Sequence, residues 1–264
     1  MAERAARFAA EGGAAPAPRV AATVVLLRSV PGSFEVYVLR RVAGMAFGGV
    51  YAFPGGGVDP SDSDASIGWA GPPPSWWGER LRLPAGTARA VVCAAVREVF
   101  EEAGVLLAGP RPDTVVGDAG EPAWEAARRR LVTREQSLTA LLAGTGMHLR
   151  ADLLVPWSRW ITPEFEPRRF DTYFFLALLP AGQRTRDVSG EADDTLWIRP
   201  ADVLARHAAG ELTLLPPTAV TLAELAAYDD PARLFAAAAG RDPGTPVRPR
   251  VVVDPDGSAR LGIV

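Results

Sequence analysis

Hydrophobic and polar positions along the chain set out a sequence of strands and helices. Val20 to Arg28 and Phe34 to Arg41 are rich in β-formers, and Pro31-Gly32-Ser33 between them is a turn signal, so the pattern predicts a hairpin. Tyr51-Ala52-Phe53 then runs into Pro54-Gly55-Gly56-Gly57, a sharp glycine turn. Residues 59–85 show no periodicity, and a stretch of that length inside a compact domain marks a functional loop or an insertion. Thr87 to Ala103 has the clearest helical pattern, with no internal Gly or Pro, a capping residue in Thr87 and a terminator in Gly104. Pro122 to Leu142 reads as one or two further helices, restarting near Thr133. Leu153 to Trp160 and Phe170 to Leu179 read as strands, the apolar run from Tyr173 to Leu179 as one buried on both faces. After a polar loop from Arg184 to Asp194 come a short strand, Leu196 to Ile198, and amphipathic helices at Pro200 to Ala208 and Pro217 to Ala227. Val251 to Val253 and Arg260 to Val264 flank Asp254-Pro255-Asp256-Gly257 as a terminal hairpin.

The chain has 264 residues, which suits one enlarged domain. The expected division is a disordered tail over 1–18, a single domain over 19–240 with an insertion at 59–88, and a C-terminal extension over 241–264. A net charge of −3 gives no reason to expect a nucleic-acid surface. All 28 basic residues are Arg, so any cation that grips phosphate is an Arg, able to hold two oxygens at once. Cys93 is the only cysteine, which excludes an internal disulfide and a cysteine-based zinc site. With His148 and His207 as the only histidines, a bound metal is expected to be a hard one held by carboxylates. No signal peptide, membrane-length apolar run or C-terminal peroxisomal address is visible, so the expected location is the cytoplasm and no membrane partner is expected.

The chemistry concentrates in Arg97-Glu98-Val99-Phe100-Glu101-Glu102-Ala103-Gly104-Val105. With Glu98 set at 0° on a helical wheel, Val92, Val96, Val99, Phe100 and Ala103 fall between roughly 100° and 200°, while Glu101 and Glu102 fall at about −60° and 40°. Three carboxylates therefore crowd the side opposite the apolar face. Like charges so close destabilise a helix or neutralise by pKa shift unless a cation sits among them, and Mg²⁺ or Mn²⁺ would meet that need with oxygen ligands. Arg97, one turn before Glu101, can hold it in place. Without flanking context the same pattern is a solvated acidic patch.

That context is a resemblance. Arg-Glu-apolar-x-Glu-Glu-x-Gly-apolar is the second half of the Nudix box, and Phe53-Pro54-Gly55-Gly56 is similar to its entry. Counting from Gly56, the first acid of the box falls at Asp62. The family has seven residues between that acid and the Arg, whereas 34 intervene here, an excess of 27. An uninterrupted register would put Arg89 in the acid's place, where it cannot serve. A box so interrupted resembles the branch that includes the mammalian peroxisomal coenzyme A diphosphatase, with further similarity at Pro156 to Pro163 and Arg168 to Phe174. The resemblance covers roughly residues 20–230. It implies an α+β fold, a mixed sheet sandwiched between helices, and metal-dependent hydrolysis of a diphosphate linkage in a small nucleotide-type substrate. It also implies Glu98 and Glu102 as ligands of Mg²⁺ or Mn²⁺, Glu101 as ligand or base, and the Gly55 carbonyl as a completing ligand. Arg40 and Arg41 are candidate phosphate clamps, each equally readable as a solvated strand end, and Glu191 is a candidate base from a late loop.

Substrate stays open at this level: CoA or acyl-CoA leads, with ADP-ribose, NADH or an oxidised nucleotide as alternatives, and a nucleotide-binding module that does not cleave as a third reading. A homodimer is also left open. Cys93 reads as a small buried hydrophobe, His207 as a surface residue, and Arg128-Arg129-Arg130 as a solvated helix face. Trp76-Trp77 reads as a pair that pins a long loop to the body, with stacking on an adenine as the alternative.

Overall fold

The computed structural model describes residues 7–8, 15–42, 48–186, 190, 192–253 and 259–263. Most of the expected N-terminal tail and Glu191 lie outside them. The expected hairpin is present as β1 (Arg19–Val30) and β2 (Ser33–Arg41), with Val30 paired to Ser33 across a two-residue turn in which Gly32 has φ +68°. The first half of β1 pairs instead with β4 (Gly55–Gly57), and β2 pairs with the short β3 (Tyr51–Ala52).

Two longer strands follow, β8 (Val155–Ile161) and β9 (Phe170–Leu178), then β10 (Ala192–Ile198) and β11 (Pro246–Val247). The main sheet runs β10-β2-β1-β9-β8-β11, with β1 parallel to β9 and antiparallel to β2. Its two faces read off the period of two. On β1, Ala22, Val24 and Leu26 join one core and Val25 and Leu27 the other; on β9, Tyr173, Phe175 and Ala177 oppose Phe174 and Leu176. The apolar run of β9 is buried on both faces through Ala177, but Leu178 is exposed. β10 begins four residues earlier than the apolar pattern suggested, because its polar start pairs with β2 through the backbone (Ala192 opposite Arg41, Asp194 opposite Arg40).

Helices cover both faces. On one lie α1 (Pro74–Leu81), α2 (Ala85–Ala103), α3 (Pro122–Val132) and α4 (Leu138–Thr145); on the other α5 (Pro200–Ala208), α6 (Pro216–Leu225) and α7 (Pro231–Ala238). Helix α2 starts two residues before Thr87, with Pro84 at the N-cap and no side-chain cap bond. Gly104 ends it as expected, with φ +69° and its N–H on the Phe100 carbonyl. Its burial is not confined to the apolar arc: Arg97, Glu98 and Glu102 are buried too, since neighbouring elements roof its acidic side. Arg128 corrects the expectation of a solvated face. It is 2% exposed, paired to Glu125, and its Nη1 donates to the Glu101 carbonyl at 2.9 Å.

The stretch 59–88 is built rather than loop-like. It holds a 3₁₀ turn at Pro60–Ser63, strand β5 (Gly68–Ala70) and α1. β5 joins β6 (Ala108–Gly109) and β7 (His148–Arg150) in a separate small sheet. Trp77 is the pin: fully buried, it sits edge-on to Phe175 of the main sheet with ring centroids 5.9 Å apart, while Trp76 remains 40% exposed. Short strands and one tryptophan thus replace hydrophobic periodicity as the source of order. β12 (Pro249–Val253) and β13 (Ala259–Ile263) pair as the expected terminal hairpin.

Because Trp77 anchors the insertion, Trp77→Ala should lower unfolding free energy by about 3–5 kcal/mol in denaturant titration. Trp77→Phe should cost clearly less, as the Trp77 indole N–H has no partner to lose. A loss below about 1 kcal/mol for the alanine variant, typical of a surface site, would mean that the insertion is not held this way.

Candidate active site

The site is built around one guanidinium. Arg97 is 7% exposed and reaches from α2 to the 3₁₀ turn and the glycine strand. Its Nε and Nη2 donate to Asp62 at 3.1 Å each, its Nη1 to Glu98 Oε1 at 2.7 Å and Glu101 Oε2 at 3.2 Å, and its Nη2 to the Gly57 carbonyl at 2.7 Å. Asp62, 1% exposed, also accepts the Asp59 N–H, while Asp59 caps the same turn through the Ser61 N–H. Position 62 is where the interrupted box places its first acid, and the fold brings that residue back to Arg97 across the insertion. Arg89, which an uninterrupted register would have used, donates instead to the Asp64 carbonyl and lies over Trp69.

The glycine strand sets the depth of the site. The Gly55 N–H donates to Glu102 Oε2 at 2.9 Å. Gly56 lies against Glu98: a Cβ there would overlap its carboxylate, so glycine leaves that carboxylate its place against the strand. Glu98, Glu101, Glu102, Gly55 and Arg97 share a cleft of about 480 Å³. Arg41 and Arg134 bring positive charge to its rim. Arg40 does not line it; its Nε meets Asp193 at 2.6 Å on the neighbouring strand.

Electrostatics follow from withdrawing three acids from water around one base. Burial pushes Glu98 up to about 7, with Glu101 adding to the rise and Arg97 opposing it. Glu101 and Asp62 are raised as well, by burial first, with Arg97 again working the other way. Burial acts to lower the pKa of Arg97, but Glu98, Asp62 and Glu101 together outweigh it and keep the guanidinium charged. Among the described residues no three or more His, Cys, Asp or Glu side chains converge on one point, because Arg97 and the Gly55 N–H each hold part of the set. The chemistry of the donors still suits a hard divalent cation: they are oxygen only, they line one cleft, and the raised proton affinity of Glu98 is the penalty that a cation would relieve.

Several contributors carried no readable signal in the sequence. Arg128 holds the backbone of Glu101 from another helix. Arg134 has φ +60°, reaches Asp59 at 2.9 Å and helps to lower Glu101, yet in the sequence it is one more Arg after a helix. Cys93 is buried and its thiol is pushed up by burial, which fits a packing residue. His207 is partly buried, its Nδ1 3.0 Å from the Leu212 carbonyl.

A family model described as the NUDT19 Nudix domain matches residues 78–225, so the glycine strand and Asp62 precede the matched span. A putative nudix hydrolase 7 of Caenorhabditis elegans is 31% identical over 178 residues, 67% of this chain and 50% of that protein. The acyl-coenzyme A diphosphatase NUDT19 of Gallus gallus is 30% identical over 256 residues, 78% of this chain and 68% of its own. The chain thus spans half of the first relative and about two thirds of the second. A solved NUDIX hydrolase from Alicyclobacillus acidocaldarius is 30% identical, superposes with a TM-score of 0.68, and the match covers 83% of this chain and 96% of that one. No helix among the described residues is long and apolar enough to cross a membrane. The chain belongs to the Nudix hydrolase family, in the group described by the NUDT19 Nudix domain.

Proposed function

We propose that this chain hydrolyses the diphosphate linkage of CoA or an acyl-CoA, using Mg²⁺ or Mn²⁺. The observation that carries this reading is the reunion of the interrupted box: Asp62 and Gly57 meet Arg97 in the cleft that also holds Glu98, Glu101 and Glu102. The CoA assignment is supported by relatives whose names describe acyl-coenzyme A diphosphatases.

Glu98 and Glu102 would hold the cation, with the Gly55 carbonyl available beside them. When bound, the divalent ion supplies charge neutralisation at the diphosphate oxygens and acidifies the attacking water. Glu101, 15% exposed and lining the cleft, would serve as a further ligand or take the proton of that water. Arg97 fixes the rotamers of Glu98 and Glu101, and Asp62 fixes Arg97. Arg41 stands at the rim where a phosphate enters. Arg40 would act on substrate only by leaving Asp193, and Glu191 is retained as an alternative base from outside the described residues.

Two measurements test the reading. With Mn²⁺ or Mg²⁺, CoA should yield a phosphorylated pantetheine and an adenosine bisphosphate. Glu102→Gln should lower kcat on the order of 100-fold or more, beyond what loss of a merely orienting group costs. No product from CoA, acyl-CoA, ADP-ribose or NADH under either metal would leave a binding module as the function.

The second measurement uses protein held in a chelator. Folded Glu98 keeps its proton more tightly than the ordinary value of 4.5 allows, so its contribution to stability is full below about pH 4.5 and is lost as pH rises through 7. Asp62 and Glu101 act with the same sign. The melting temperature of the wild type relative to Glu98→Gln should therefore fall by several degrees between pH 5 and 8, and Mn²⁺ should raise the wild-type value more at pH 8 than at pH 5. A pH-independent difference would remove the buried-carboxylate account.

A further inference from the structure

The glycine strand has a second side. Gly55, Gly56, Gly57 and Arg41, which line the charged cleft, also line another cleft of about 410 Å³. Its remaining walls are mostly apolar and include Phe53, Trp160, Ile161, Phe170, Leu215 and Pro217. Phe53 and Trp160 belong to the core on the α5–α7 face, so the two clefts approach β4 from opposite faces of the main sheet. Three of the four shared residues have no side chain to obstruct passage. The fourth, Arg41, carries a buried Nε–H with no hydrogen-bond partner, a cation held at the junction.

The contrast between the clefts decides what each accepts. The first offers Arg97, Arg41, Arg134 and carboxylates, the chemistry of a diphosphate and its counter-ion. Of those three cations only Arg41 also lines the second. Thr162 already accepts the Phe170 N–H at 3.0 Å, and Thr23, Thr172 and Thr218 leave hydroxyls along a wall that is otherwise mostly apolar. An alkyl chain needs apolar wall, and the amides of a pantetheine arm can meet hydroxyls set along it. We propose that the apolar cleft receives the acyl-bearing arm of the substrate whose diphosphate lies in the charged cleft, and that Phe170 and Leu215 set the preference for acylated over free CoA. The assignment rests on the CoA reading above.

Binding without turnover tests it. Calorimetric titration in EDTA should rank octanoyl-CoA above acetyl-CoA above CoA. Full burial gains about fourfold per methylene, so octanoyl-CoA should bind at least about tenfold tighter than CoA even with most of the chain at the cleft mouth. Phe170→Asp, which puts a charge in the wall, and Leu215→Trp, which fills it, should each bring that ratio to within about twofold. An unchanged ratio in both variants, no chain-length effect in the wild type, or no binding of any CoA compound overturns the proposal. So does a loss of 3′,5′-ADP affinity as large as the loss for octanoyl-CoA, which would put the base in the cleft. Turnover separates the two readings. An acyl increment without Mn²⁺-dependent product would sink the hydrolase reading and leave the cleft assigned. Product from CoA and octanoyl-CoA at equal KM, without an increment, would do the reverse.

Discussion

A single buried guanidinium organises this molecule. Arg97 is surrounded by Asp62, Glu98 and Glu101 and by the Gly57 carbonyl, so one positive charge ties together the long helix, the insertion and the glycine strand. Its planar, five-donor fork is what allows it to serve four acceptors at once; a lysine would offer a point charge and three donors. Desolvation alone would make such a charge costly. Here the surrounding carboxylates keep it ionised, and it in turn restrains the proton uptake that burial forces on them.

The sheet serves that arrangement. β1 is shared between β2 and β4, so the hairpin that starts the fold also presents the glycine strand to α2. Gly56 leaves room for the Glu98 carboxylate, and the Gly55 N–H takes up Glu102. From the opposite face the same strand borders an apolar cleft. In an acyl-CoA the pantetheine arm separates the diphosphate from the acyl chain, so on the proposed assignment that arm runs past these glycines from the charged cleft into the apolar one.

Much of this was legible in the chain. The hairpin, α2 with its Gly104 terminator, β8, β9 and the later helices follow from periodicity and from Gly and Pro punctuation, and the Glu98–Glu101–Glu102 cluster from helical spacing. Spacing also located Asp62, although 34 residues separate it from Arg97. What stayed hidden depends on contacts distant in sequence. The insertion's strand is too short to show alternation and takes its order from β7, far downstream. Arg128 looked like part of a solvated triplet because the Glu101 carbonyl that it serves comes from another helix. The acidic face of α2 appeared open because a wheel shows which way side chains point, but not what roofs them. Glu191 lies outside the described residues.

The long separation between Asp62 and Arg97 has a consequence for how the chain folds. Lengthening the connection from about eight residues to 35 is roughly two doublings of a loop, which costs only about 1 kcal/mol of closure entropy. The anchoring of Trp77 in the core more than offsets a cost of that size. A contact that was local becomes long-range, and such contacts slow folding because loop entropy is lost before they form. The burial that raises the proton affinity of the carboxylates on α2 therefore depends on a stretch of chain that the shorter connection would not contain.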